Sequence, residues 1–257
     1  MKITSPKVIS GIAIILVIIV VAGCSKDSER INDNNTVVVS ATGDINPGLV
    51  EFRELLGSQL NTTPGAVGGR REINWDGVPE DLLHQKLPTN FFNPTGPQAN
   101  INNQRGLVYS AEGNFQVSKT NFAEVNADAG SQFSSFSGNK IFANVSSKLW
   151  DVEFQVPGQS LTASVKGFGI VFTDVDKPNS TSLEFFNEEK SLGRFFAPAK
   201  QGSNFSFLGV YFKTEKITRI QVSHEGQLDN GDIDISNNGT MDLVAMDNFL
   251  YNEPVKN

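Results

Sequence analysis

The sequence predicts a mainly β protein: an antiparallel β-sandwich of jelly-roll type with one short N-terminal helix. Three observations carry that expectation. About ten short runs rich in β-branched and aromatic residues lie between residues 106 and 251. Turn residues separate them. The 19 phenylalanines supply a core that must hold without disulfides, since the chain has one cysteine. No repeat of about 20 to 50 residues is visible, which argues against a solenoid or propeller.

The first segment reads as an address. Lys2 and Lys7 precede an uncharged, apolar run from Val8 to Ala22 that closes in Val21-Ala22-Gly23-Cys24. As a helix that run rises about 22 Å, short of the ~30 Å a spanning helix must cover. The pattern is a lipobox, so residues 1–23 are expected to be a cleaved lipoprotein signal peptide and Cys24 the lipid-modified start of the mature chain. Residues 24–45 read as a flexible, lipidated tether, being polar to about Thr42, with Asp27, Glu29, Asp33 and several asparagines. Ser25 rather than Asp after the cysteine leans towards outer-membrane sorting. The expected location is the bacterial outer membrane, on its periplasmic or cell-surface side.

Residues 46–257 form the expected sandwich domain. Leu49, Phe52, Leu55, Leu56 and Leu60 fall at helical spacing, so a short helix over 47–60 is predicted as a lid on the core. Pro79 suits the first position of a second helical turn. In 148–156, Trp150, Val152, Phe154 and Val156 share one parity and Leu149, Asp151, Glu153 and Gln155 the other, as in a strand with one face on a core. Residues 167–175 are apolar on both faces and belong in mid-sheet. Residues 182–187 and 192–196 form a hairpin around an exposed Glu-Glu-Lys corner.

The net charge of -7 leaves no basic stripe to displace counterions, so nucleic acid is excluded as a partner. With Cys24 acylated, no thiol remains for a zinc site or a nucleophile. No HExxH, GxSxG or phosphate-cradling loop is present.

GGRREINWDGVP at 68–79 and LPTNFFN at 87–93 resemble a family of secreted bacterial proteins of unknown function. The likeness continues through GFGIVFTDVD at 167–176 to DLVAMDNFLYNEP at 242–254. The later segments are also similar to the final strands of jelly-roll carbohydrate-binding modules. The resemblance implies a fold and a compartment and no catalytic residue. It also implies an acidic pair where this chain has Asp247-Asn248, a departure that weakens any cation site there.

Asp247 shares the parity of Leu243, Ala245, Phe249 and Tyr251, so it is expected to point inward and to need a partner unless a bulge shifts the register. Calcium, with Glu72 and Asp76 as further ligands, is one reading. Pairing with Arg70, Arg71, Arg194 or Arg219, or a place beside a bulge, is the other. Asp174 and Asp176, and the turn Asp229-Asn230-Gly231-Asp232 with Asp234, are further cation candidates. The same residue types also serve ordinary turns. Trp75 either stacks on a sugar or plugs one end of the sandwich. His84 and His224 lack an acid and a nucleophile at any recognised spacing, and nothing singles out Asp151, Glu184, Glu188 or Glu189 as a glycosidase pair. The expected function is non-enzymatic binding or adhesion at the envelope, with a glycan as ligand. A polysaccharide hydrolase and a structural surface protein without a small ligand are the alternatives.

Overall fold

The computed structural model describes residues 1–2, 28–32, 35–110 and 113–257. Cys24, most of the expected signal peptide and the start of the expected tether lie outside the described residues. No described helix is long and apolar enough to cross a membrane.

Fifteen strands form among the described residues. They are β1 (Ser28–Asn32), β2 (Thr36–Thr42), β3 (Arg70–Ile73), β4 (Leu107–Tyr109), β5 (Phe115–Ser118), β6 (Ile141–Asn144), β7 (Leu149–Gln155) and β8 (Thr162–Ser164), followed by β9 (Gly167–Thr173), β10 (Ser182–Asn187), β11 (Lys190–Phe196), β12 (Phe205–Phe212), β13 (Arg219–Ser223), β14 (Ala245–Asn252) and β15 (Val255–Lys256). The first sheet runs β1-β2-β12-β9-β14-β6-β5, with β3 also on β14. The second runs β11-β10-β13-β7-β8-β15, with β4 also on β7. The strand pairs are antiparallel, as a sandwich requires.

Much of the segment expected to be a flexible tether is strand instead, and Ser28–Asn32 is β1, paired with β2. Thr36–Thr42 is β2, paired with β12 from Thr36↔Phe212 to Thr42↔Ser206. Three consecutive β-branched valines, Val37 to Val39, are buried there and outweigh the polar residues before them. The N-terminal helix α1 spans Asn46–Leu56, with proline in its first turn, and stops at Gly57, whose φ of 119° few other residues adopt. Its buried face, Leu49, Phe52 and Leu56, packs on Val37, Val39, Val171, Phe207 and Leu250 of the first sheet. Gly169 and Gly209 lie opposite one another on β9 and β12. A Cβ at either would meet the Phe52 ring at 2.9 or 2.8 Å, so this glycine pair seats the ring. The turn expected at Pro79 is a short 3₁₀ segment, Glu80–Leu82.

Between the sheets lies the main core. Trp75 stacks on Phe142 with centroids 4.0 Å apart, and Phe249 meets it edge-on at 5.0 Å. Trp150, Val152 and Phe154 enter the same core, as their parity predicts. A smaller cluster joins Phe122, Phe133, Leu228 and a second short helix, α2 (Ala127–Gly130), to Ile141, Ala143 and Ala245 on the outer side of the first sheet. That sheet is therefore covered by α1 at one end and by this cluster at the other. Among the described residues, no hydrophobic cluster covers the outer side of the second sheet.

Candidate functional site

The bare outer side of the second sheet is ordered by strand register. Phe186, Arg219 and Glu153 form one cross-strand row. Arg194, Glu184, Gln221 and Asp151 form the next. A third holds Phe196, Ser182, Ser223 and Leu149, of which Phe196 (43%) and Leu149 (49%) are open to solvent. The Arg219 guanidinium lies 3.9 Å over the Phe186 ring, and its Nη1 is 3.3 Å from Asp151 Oδ1, which also accepts from Gln221 Nε2 at 3.3 Å. Stacking and ion pairing thus hold a long side chain flat against the sheet. Glu184 accepts from Arg194 Nε at 3.0 Å, and that bond keeps its carboxyl below the ordinary range. Beside this face lies a cavity of about 350 Å³ bounded by Glu153, Thr162, Glu188, Glu189, Arg219 and Asn257. Its size falls within the ~300–1,000 Å³ of small-molecule sites.

The calcium set expected from Asp247, Asp76 and Glu72 does not assemble as a triad. Glu72 accepts from Arg53 (2.9 and 2.8 Å) and Arg70 (2.7 Å). Burial alone would raise its pKa, and the two arginines more than reverse that. The inward direction expected of Asp247 fails for the reason a bulge supplies. The β14–β9 register shifts between Met246 and Phe249, so Ala245 faces the outer cluster while Phe249 and Tyr251 face the core. Asp247 lies fully buried in the bulge, where Oδ2 accepts the amides of Phe136 (2.6 Å) and Ser137 (3.0 Å) and Oδ1 has no hydrogen-bond partner. Burial raises its pKa to about 7, and the charge of nearby Asp76 adds to the rise. Asp76 accepts from the Asn139 amide at 2.9 Å, so both carboxylates clamp the 136–139 loop. None of the expected arginines pairs with Asp247. Arg71 instead makes a sealed, bidentate bridge to Glu253, with both bonds 2.7 Å.

Trp75 is 1% exposed and donates Nε1–H to the Asp247 carbonyl at 2.5 Å. A sugar cannot reach it, which corrects its reading as a ligand platform. His84 does gain an acid, Glu124, from a segment 40 residues away. His224 is buried, and desolvation pulls its pKa down to about 4.

The two oxygen-rich turns do meet. Carboxylate oxygens of Asp174, Asp176 and Asp234 lie within 4.8 Å of one another, close enough for the three to hold a metal ion. Asp174 and Asp176 follow β9, while Asp234 caps a 3₁₀ turn, accepting from the amides of Ser236 and Leu243 at 2.7 Å each. Lys200 pairs with Asp174, and with Asp176 at 2.8 Å. Asp242, also buried, holds the amides of Asp176 and Lys177 at 2.9–3.1 Å. Burial lifts Asp174 to about 6 and raises Asp234 and Asp242, whereas for Asp176 the bonds from Lys200 and Ser236 overcome burial and lower it. The sequence singled out Asp174, Asp176 and Asp234 but not Lys200 or Asp242, which carry no local signal.

No family model and no curated protein matches the chain, so the GGRREINWDGVP resemblance has no matching family behind it. Solved structures of variants of CBM29-2, a family 29 carbohydrate-binding module, are similar to it. One is 11% identical over 46% of this chain and 74% of the module, with a TM-score of 0.25. Another is 12% identical over 46% and 73%, with a TM-score of 0.24.

Proposed function

We propose that this protein binds glycans on the open face of the second sheet, without a catalytic role, and that lipid on Cys24 anchors it to the bacterial outer membrane. The observation that carries the ligand class is the Phe186–Arg219–Asp151–Gln221 array. A sugar presents apolar C–H faces and closely spaced hydroxyls. It is matched by a flat aromatic and guanidinium stack beside planar amide and carboxylate groups that donate and accept along one plane. An uncovered sheet face with partly exposed Phe196 and Leu149 supplies length for a chain of sugar units.

Binding is favoured over hydrolysis by the state of the carboxylates. A glycosidase acid must be protonated near neutral pH, which needs a raised pKa. On this face Glu184 is shifted downwards by its bond from Arg194.

The test is a glycan-array screen of the full chain, followed by calorimetry with the best ligand. The double change Phe186→Ala, Arg219→Ala is expected to weaken binding by about tenfold or more, the loss of roughly 1.4 kcal/mol of contact. Lys216→Ala, outside these rows, leaves affinity unchanged. No bound glycan on the array, or full affinity in the double variant, would refute the assignment.

A further inference from the structure

We propose that Asp174, Asp176 and Asp234 form a calcium site, independent of the glycan face, that ties the β9–β10 turn to the 227–243 loop. Proximity of the three carboxylates is the first observation. A second points to a missing ligand. Asp174 is fully buried and its Oδ2 has no hydrogen-bond partner, although Oδ1 of the same carboxylate is held by Lys200. A sealed carboxylate oxygen left bare is costly, and a cation satisfies it. Gln132 lies beside the triad and is itself incompletely bonded. Its Nε2 is 3.4 Å from Asp234 Oδ1 while its Oε1 is buried without a partner.

The charge balance argues the same way. Asp174, Asp234 and Asp242 are each fully buried and Asp176 partly so, yet among the described residues the cationic group bonded to the triad is the single ammonium of Lys200. Lys177, beside Asp242, is paired with Glu225. A divalent ion would balance the excess that one ammonium leaves. The donors are all oxygens, with no imidazole or thiolate among them, which selects a hard cation. Calcium accepts six to eight oxygens in flexible geometry, with water completing the set, whereas magnesium demands a near-ideal octahedron. Lys200 has a partly exposed side chain on a flexible stem, so its ammonium can leave for solvent as the ion enters. In this arrangement Lys200 competes with calcium.

The competition gives a test with a distinctive sign. The full chain, stripped with chelator, is titrated with calcium chloride by calorimetry and melted with and without calcium. One ion per chain is expected, with a Kd on the order of 10⁻⁴–10⁻³ M, as in extracellular calcium modules, and a melting temperature that climbs with calcium. Asp174→Asn and Asp234→Asn abolish the heat, while Asp247→Asn keeps it. Lys200→Met melts lower than wild type without calcium, binds calcium more tightly and regains its melting temperature when calcium is added. Absence of heat and of any melting shift at saturating calcium would overturn the site. So would unchanged binding in the Asp174 and Asp234 variants, or a Lys200→Met protein equally weakened with and without calcium.

Discussion

Asp247 shows how one residue can set the pH dependence of the fold. Its pKa rises from an ordinary 3.8 to about 7 on folding, mainly through burial, so the folded chain holds a proton that the unfolded chain releases. The stabilisation is complete below pH ~4 and is lost as pH climbs through about 7. Each tenfold gain in proton affinity on folding is worth about 1.4 kcal/mol, so the whole effect is at most about 4 kcal/mol. Asp247→Asn keeps an acceptor for the Phe136 and Ser137 amides and has no charge to desolvate. It should melt several degrees higher than wild type at pH 8 and no higher at pH 4. An equal difference at both pH values would exclude ionisation as the cause. Arg71 and Glu253 make the opposite case. Glu253→Gln leaves a sealed guanidinium without its counter-charge and should cost about 3–5 kcal/mol in chemical denaturation, whereas a loss under 1 kcal/mol would mean water replaces the carboxylate.

At the scale of elements, alternation is legible in the sequence and insertion is not. The parity of 148–156 places every side chain of β7 correctly, because one face of that strand is core and the other solvent. In β14 the same reasoning fails at Asp247, since a single extra residue in the bulge reverses the face of everything beyond it, and no residue type announces the bulge. The break between β8 and β9 is hidden too: 164–175 reads as one strand in the sequence, yet Ser164 ends β8 in the second sheet and Gly167–Thr173 is β9 in the first. The strand β2 is masked by its polar surroundings, and it bears on any shortened chain. Starting at Gly43 removes Val37, Val38 and Val39, each contributing about 1.5–3 kcal/mol by burial, and strips the seven-residue ladder on β12. Such a chain should aggregate or lack a cooperative melt, while one retaining Ser28 onward melts cooperatively. Equal melting of the two would show β2 to be dispensable.

Among the described residues the sandwich is asymmetric: one sheet is roofed by α1 and a second hydrophobic cluster, and no such cluster covers the other. Composition foretells two sheets and a phenylalanine core, but which outer face stays open depends on where distant segments fold back, and that is not local information. A lipid at Cys24 would tether this domain to the membrane surface with its open face free for polymer. Metabolic labelling with palmitate should therefore mark the wild type and not Cys24→Ser, and equal labelling of both would remove the anchor. The central claim, that the bare sheet is the ligand surface, is tested most directly by carboxylate footprinting with and without a glycan identified on the array. Protection of Asp151, Glu153 and Glu184 upon ligand addition is the expected result. Protection confined to carboxylates off that sheet, with these three unchanged, would contradict it.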